Sequence, residues 1–231
     1  MNGLVRGRGV GFSGRIRVDT GFVLDYSGFV FLGMVGGRGL ACCFSLGRRV
    51  IGFTDVVPVG YPATSTSPGT APGRSDVAAV KRAVSQAAER ADYVVVAWHW
   101  NFEFTTEPSA LELSEGKAAI DAGADLVIAH HPHVLQGIQR YNGGLIFYSL
   151  GDLVFDGCSG PMAETVVVKL AVNAERIEAK LIPAALAYDG TPSRARGEQA
   201  DEILSRVKTY SAELGTKVRL DDGLGFVTVK R

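Results

Sequence analysis

The residues best suited to chemistry are the four histidines, and each lies at or just beyond an apolar segment. His99 follows the apolar run 93–98, and His130, His131 and His133 follow the run 126–129. Histidine is the commonest metal ligand in proteins, and it titrates near neutral pH. In α/β sheets, ligands bind beyond the carboxyl ends of the strands. The histidines therefore predict a metal or acid/base site at one edge of a sheet.

The spacing of His131 and His133 favours a shared ligand. Side chains two residues apart in an extended segment point to the same side, so both imidazoles could reach one ion. Pro132 lies between them and biases His131 toward an extended conformation. His130 would then point the other way, with a structural role or the role of orienting a ligand. For His99 taken alone, a structural role stays an alternative.

Acidic and aromatic side chains accompany the histidines. Glu103 lies four residues after His99 and could be a ligand, a base, a substrate contact or a solvated loop carboxylate. Asp152 follows a further apolar run and could lie at the rim of the same pocket. Trp100 could line that pocket. The sequence contains no Walker lysine or GxSxG motif, which argues against P-loop nucleotide chemistry and serine-hydrolase chemistry.

Alternating strands and helices must position these residues. Apolar runs predict strands over 50–54, 93–98, 125–129 and 145–150. The spacing of apolar residues predicts a helix from Asp76 capped by Ser75, and a second helix over 108–122 that Gly123 ends. This order indicates a mostly parallel sheet with helices on both faces. A hairpin over 165–172 and 176–182, a helix over 198–214 and a strand over 226–229 are predicted to follow.

Composition limits the possible partners. The chain has 231 residues with 24 basic and 24 acidic side chains, so no excess of positive charge points to nucleic acid. Its three cysteines form neither a CxxC motif nor an even disulfide framework. No apolar stretch is long enough to cross a bilayer, and no secretory signal is recognisable.

A change in composition divides the chain into an atypical segment, residues 1–48, and a regular part, residues 49–231. Residues 1–49 hold seven Arg, no Lys, two Asp and no Glu, which gives +5, and the remainder carries −5. This Gly- and Arg-rich segment shows no helical or strand period. We interpret it as a poorly ordered extension or as the product of a gene read out of frame.

Three motifs together resemble the CapA family, the poly-γ-glutamate capsule synthesis proteins with a calcineurin-like metallophosphoesterase fold. Residues 121–136 read DAGADLVIAHHPHVLQ, and residues 148–156 read YSLGDLVFD. Residues 99–104 read HWNFEF, which is similar to the family's His-Trp-Gly-x-Glu-Tyr. The resemblance covers about residues 49 to 185.

The resemblance implies an α/β fold, a metallophosphoesterase-like αββα sandwich, here incomplete at its N-terminus. It also implies a two-metal site with His99, His131 and His133 as ligands and with His99, Glu103 and His131 as catalytic residues. Trp100, Asn101 and Asp152 are the expected substrate contacts. The cofactor would be a divalent metal ion such as Mn, Fe, Zn or Mg. The substrate would be an anionic polymer or a small phosphoryl compound, and the partners would be membrane proteins of capsule synthesis.

Departures from the family pattern limit this expectation. Ala129 and Asp152 stand where the family has Gly and Asn, and Asn101 and Phe104 stand where it has Gly and Tyr. The early Gly-Asp and Asn-His steps, which supply further metal ligands in the family, are absent from the sequence. We therefore expect half a centre, with one weakly bound divalent ion and little hydrolase activity.

Two other functions stay open, a non-catalytic polymer-binding module and one half of a split protein. Location stays open as well. The family usually works outside the cytoplasmic membrane, whereas this sequence shows no export signal.

Overall fold

The computed structural model describes residues 21–24, 30–33, 48–56, 58–63, 68–73, 76–100 and 102–231, with backbone alone for the first two ranges and for residue 48. Twelve strands and three α-helices lie in these ranges, together with a short 3₁₀ helix at Gly160–Ala163. In chain order they are β1 (Gly21–Leu24), β2 (Val30–Gly33), β3 (Arg48–Thr54), α1 (Val77–Ala88), β4 (Tyr93–His99), α2 (Ala110–Asp121), β5 (Leu126–His130), β6 (Ile138–Tyr141), β7 (Gly144–Phe147), β8 (Glu164–Val172), β9 (Arg176–Leu186), β10 (Pro192–Arg194), α3 (Gly197–Glu213), β11 (Arg219–Asp221) and β12 (Leu224–Lys230). Among the described residues, no helix is both long and apolar enough to cross a membrane.

The strands form two sheets. The first has the order β3-β4-β5-β7-β6, in which β3, β4, β5 and β7 run parallel and β6 pairs antiparallel with β7. The second has the order β11-β12-β9-β8-β1-β2, with β10 also paired to β9, and all its pairs are antiparallel. The mixed α/β architecture confirms the predicted fold class.

Strand β4 shows why its sequence is apolar throughout. Successive side chains of a strand point to opposite faces of the sheet. Val94, Val96 and Trp98 pack on the side of α1 and α2, whereas Tyr93 and Val95 face the core shared with the second sheet. Both faces are covered, so an alternating polar pattern is absent, as is usual for parallel strands inside a fold.

The layers differ from the expectation of helices on both faces of the parallel sheet. Helices α1 and α2 cover one face, and the second sheet covers the other. Helix α3 contributes its apolar stripe to the core that lies between the two sheets. The expectation was wrong because it treated the segment after β7 as a separate hairpin, whereas the inward side chains of β8 and β9 pack against the parallel sheet.

Polar caps begin both helices next to the parallel sheet. Asp76 accepts a hydrogen bond from the Ala79 N–H at 2.7 Å, so Asp76 is the N-cap of α1. The predicted cap, Ser75, lies outside the described residues. Ser109 caps α2 in a capping box with Glu112, in which each side chain accepts a backbone N–H bond from the other residue. Gly123 follows the end of α2 with φ +109°, which confirms its predicted role as the stop.

The segment predicted to be atypical, residues 1–48, falls mostly outside the described residues. Two short strands, β1 and β2, are described within it, and β1 pairs with β8 at Phe22↔Val168. The sequence pattern did not indicate these strands. Pairing with the edge of β8 is a backbone interaction, which side-chain periodicity does not report.

Candidate metal centre

The centre lies at the carboxyl ends of β4 and β5. His99 is the last residue of β4 and His130 the last of β5, and the two are direct neighbours in the parallel pairing. Their ring centroids are 4.9 Å apart, and that of His131 lies 4.4 Å from the ring of His99. The structure thus brings the four histidines together at one edge of the sheet, where the strand order predicted them.

The chain leaves β5 through a tight turn and not through the extended segment that we predicted. His131 has φ +98° and His133 has φ +60°, a region that side chains other than glycine rarely adopt. Such backbone conformations cost about 1–3 kcal/mol each and persist where surrounding contacts fix them. The prediction was wrong because Pro132 restricts its neighbour without excluding a positive φ. The two imidazoles still approach each other, with ring centroids 5.6 Å apart.

Backbone hydrogen bonds join this turn to the loop after β4. The Trp100 N–H donates to the His130 carbonyl at 3.0 Å, and the Phe104 N–H donates to the Pro132 carbonyl at 2.9 Å. The Gln136 side-chain amide donates to the Thr105 carbonyl at 2.8 Å. These bonds hold the loop that carries Glu103 against the histidine turn.

Glu103, His131 and His133 form a group able to hold a metal ion. Each offers one ligand atom, and these atoms all lie within 4.8 Å of one another. The nearest carboxylate oxygen of Glu103 is 3.7 Å from His131 Nε2. One carboxylate oxygen and two imidazole nitrogens are a common ligand set for a divalent transition metal. The residues present therefore fit a metal ion, although they do not identify it.

The surroundings of His99, His130 and His131 favour the neutral imidazole at physiological pH. Burial, and then the neighbouring His130, His131 and His133, lower the pKa of His99 to about 3. Burial is the main cause that lowers the pKa of His130 to about 4, and the neighbouring His131 and His133 add to this shift. Burial also lowers the pKa of His131, although Glu103 opposes the shift. Neutral imidazoles keep the nitrogen lone pair that a metal needs.

Asp152 lies behind His133. Both carboxylate oxygens of Asp152 are 3.0 Å from His133 Nδ1, and both side chains are buried. The thiol of Cys158 lies 3.9 Å from the second oxygen. The aromatic rings of Phe104 and Phe155 flank the imidazole of His133 at 5.9 and 5.2 Å. The sequence predicted Asp152 as a substrate contact, whereas its visible partner is a histidine of the metal group.

The other predicted residues occupy different positions. His99 lies beside the metal group without belonging to it, and its role as a ligand stays a prediction. Trp100 is fully buried, and its indole N–H donates to the Tyr148 carbonyl at 3.0 Å, so contact with substrate would require this ring to be uncovered. Asn101 lies outside the described residues. His130 Nδ1 is buried with no hydrogen-bond partner among the residues that the structure describes.

Sequence reasoning did not single out Cys158 or Gln136. Cys158 is six residues after Asp152, and its spacing does not predict that its thiol lies near that carboxylate. Gln136 is the last residue of the motif 121–136, and its position does not predict the hydrogen bond to Thr105. Both contacts depend on how loops meet in space. The apolar run around Phe155 gave no sign that its ring would lie beside His133.

Comparison with known proteins identifies the region that carries this centre. Residues 50–157 match the family described as bacterial capsule synthesis protein PGA_cap. The chain is 43% identical over 106 residues to the PGA biosynthesis protein CapA of Bacillus subtilis (strain 168), a match that covers 46% of this chain and 27% of the relative. It is 44% identical over 110 residues to the capsule biosynthesis protein CapA of Bacillus anthracis, which covers 46% of this chain and 26% of the relative.

A weaker match extends further. The uncharacterized protein y4sH of Sinorhizobium fredii (strain NBRC 101917 / NGR234) is 27% identical over 205 residues, covering 66% of this chain and 44% of that protein. The chain thus spans about a quarter of the length of the two CapA relatives. The histidines, Glu103 and Asp152 all lie within the matched residues 50–157. Through that region, the chain is similar to the CapA proteins of bacterial capsule synthesis.

Proposed function

We propose that this protein acts in the synthesis of poly-γ-glutamate or a related anionic capsular polymer, with a divalent metal ion at the histidine cluster. The observation that supports the proposal is the group of Glu103, His131 and His133, whose ligand atoms lie within 4.8 Å of one another. This group lies within residues 50–157, which match the PGA_cap family, and two relatives of the chain are named for PGA and capsule biosynthesis. The reaction would be hydrolysis or transfer at a phosphoryl or acyl/amide centre.

The ligand set favours some metals over others. Imidazole nitrogens suit Zn²⁺ and Fe²⁺, and a set that also contains a carboxylate can hold Mn²⁺, whereas Mg²⁺ is held mainly by oxygen ligands and water. We therefore propose one of the first three ions. When bound, such an ion polarises a phosphoryl or carbonyl oxygen and lowers the pKa of a bound water.

The residues of the chain have separate proposed roles. Glu103 is about half exposed, so its carboxylate can hold the metal from the solvent side and also meet substrate. His99 is a poor general base at neutral pH, because its pKa is lowered to about 3 and a base works best with a pKa near the operating pH. We propose that His99 acts instead as a neutral ligand or as a hydrogen-bond donor to substrate.

The charges of the site make substrate binding depend on metal. Glu103 and Asp152 are carboxylates, and the surrounding imidazoles are neutral because burial lowers the pKa values of His99, His130 and His131. An anionic polymer would be repelled by such a pocket. A divalent cation removes this repulsion and gives the anionic substrate a direct electrostatic partner.

The proposal is tested by metal binding and turnover measured on the same preparations. Isothermal titration calorimetry with MnCl₂ and with ZnCl₂ would be combined with hydrolysis assays on poly-γ-glutamate and on bis(4-nitrophenyl) phosphate. We expect one weakly bound ion, low turnover that requires metal, and loss of both in Glu103→Gln and His131→Ala. Glu107→Gln is the matched control, since Glu107 is an exposed carboxylate of the same loop. Two tightly bound ions with rapid phosphodiester turnover would contradict the expectation of half a centre.

A non-catalytic polymer-binding module is the second candidate. The observation that favours it is that the described residues supply one group of three potential metal ligands, which is few for a two-metal hydrolase. Binding of poly-γ-glutamate that survives both EDTA and His131→Ala, with no turnover, would establish this alternative. Binding that disappears with the metal would exclude it.

A further inference from the structure

Asp152 and His133 form a buried pair whose geometry has a chemical consequence. The Nδ1 atom of His133 is 3.0 Å from both oxygens of Asp152, and the two side chains are 5% and 7% exposed. An ionised carboxylate can only accept hydrogen bonds. The ring nitrogen that faces it must therefore carry the proton, which leaves the lone pair of a neutral His133 on Nε2.

We propose that Asp152 is a positioning residue that fixes His133 in the Nδ1–H tautomer and so presents Nε2 to the metal ion. A metal-bound histidine commonly donates its other ring N–H to a carboxylate, which sets the tautomer and the ring orientation. Nε2 would then be the atom that His133 offers to an ion shared with Glu103 and His131, the residues with which it forms the metal group. The inference rests on the proposed metal function for its second half and on hydrogen-bond geometry alone for its first.

The charges at the site support the second half of the proposal, in which the Asp152–His133 pair serves a metal ion. Asp152 is buried, and its ion-pair partner within the described part of the chain is His133. An imidazole that binds a metal through Nε2 and carries a proton on Nδ1 is neutral, so in the metal-bound site the Asp152 charge would be balanced by the ion. Buried charges are normally paired or lie next to a metal. The two negative charges of Glu103 and Asp152 balance one divalent ion held by two neutral histidines. The pair therefore suits a single divalent ion.

The carboxylate at position 152 distinguishes this chain from the family pattern. The family resemblance places Asn at the position of Asp152, and an amide can accept the same N–H bond without adding a charge. Asp152→Asn therefore separates the two contributions, since it keeps the acceptor oxygen and removes the charge. Asp152→Ala removes both.

The tautomer is measured on the metal-free chain of 231 residues. Long-range ¹H–¹⁵N correlation spectra of ¹⁵N-labelled protein in EDTA distinguish Nδ1–H from Nε2–H for each of the four histidines. We expect Nδ1–H for His133 in the wild type and in Asp152→Asn, and a shift toward Nε2–H in Asp152→Ala. An Nε2–H tautomer in the wild type, or an unchanged tautomer in Asp152→Ala, would overturn the positioning role.

The charge contribution is measured by calorimetric titration with ZnCl₂ and MnCl₂. We expect affinity to fall roughly tenfold in Asp152→Asn and up to about 100-fold in Asp152→Ala, the range found for partners of metal ligands. Asp156→Asn is the matched control, an exposed carboxylate in the same loop, and it should leave the affinity within about twofold, as the weak effect of exposed charges implies. Wild-type affinity in Asp152→Asn would overturn the charge-balance half.

Different results would contradict the two halves of the proposal, the tautomer of His133 and the charge balance at the metal site. If the wild type binds neither ion, the proposed metal function fails and the charge-balance half fails with it, whereas the metal-free spectra still decide the tautomer. Far-UV circular dichroism and amide correlation spectra of each variant verify that it folds. The isosteric Asp152→Asn keeps the inference testable if Asp152→Ala does not fold.

Discussion

Gly151 offers a direct test of how the loop before Asp152 holds the site together. Its φ is +75°, and a Cβ atom added there would lie 2.4 Å from the carbonyl oxygen of Glu164, at the start of β8. The preceding residue is tied to the same strand, because the Leu150 carbonyl accepts bonds from the Val166 N–H at 3.0 Å and from the Thr165 hydroxyl at 2.9 Å. An added methyl group must therefore push the loop away from β8.

Gly157 supplies the matched control. Its φ is +73°, and a Cβ atom built there meets nothing within 4 Å. Alanine at a positive φ costs about 1–2 kcal/mol at either position. At Gly151 the overlap with backbone adds about 1–3 kcal/mol, the usual cost of overpacking. We expect Gly157→Ala to lose about 1–2 kcal/mol of unfolding free energy and Gly151→Ala about 2–5 kcal/mol.

Urea denaturation of the metal-free proteins would measure these differences, and titration with ZnCl₂ would measure their effect on the site. Displacement of Gly151 moves Asp152 relative to His133, so Gly151→Ala should also weaken metal binding, whereas Gly157→Ala should not. Equal losses of stability in the two variants, or full metal affinity in Gly151→Ala, would show that contact with β8 does not position this loop.

Two further predictions concern stability. Because burial and the charges of His131 and His133 lower the pKa of His130 to about 4 from its ordinary 6.5, the unfolded chain binds more protons between these values. This contribution is intact above about pH 6.5 and is lost as the pH falls toward 4. Because His99 adds a loss of its own, we expect urea denaturation in EDTA to show a loss from pH 7 to pH 5 that is about 1–2 kcal/mol smaller in His130→Gln than in the wild type, and an equal loss in both proteins would argue against this origin. Ser109→Ala removes the acceptor of the α2 capping box and should cost about 1 kcal/mol by the same assay, and an unchanged midpoint would mean that this cap adds nothing to stability.

The parallel sheet was predictable because its strands are apolar on both faces. The runs at 93–98 and 125–129 became β4 and β5 with boundaries shifted by one residue, since burial on both faces leaves no polar positions to confuse the assignment. The run predicted over 145–150 was cut short. Strand β7 ends at Phe147, and beyond it the chain makes an isolated bridge between Leu150 and Leu135. Apolar character alone does not show where sheet pairing stops.

Short strands and layer order were harder to predict. Strand β6 carries only four residues and mixed polarity, and its position depends on pairing with β7 across the turn at Asn142 and Gly143. The second sheet covers a face that a pattern of alternating helices and strands would assign to helices. The inward residues Val166, Val168 and Leu170 show the period of two expected for a half-buried strand, but this period does not specify which surface they pack against.

The candidate site shows most clearly what local sequence can and cannot specify. Strand ends placed His99 and His130 side by side, because parallel strands end at the same edge of a sheet. The approach of Glu103 to His131 has another origin, since it depends on the hydrogen bonds that join the loops after β4 and β5. The positive φ angles of His131 and His133 are likewise imposed by these tertiary contacts, against the local preference of the chain. A metal site built on such a turn should lose its geometry when the loops separate, so its affinity for metal reports the integrity of the loops as well as the identity of the ligands.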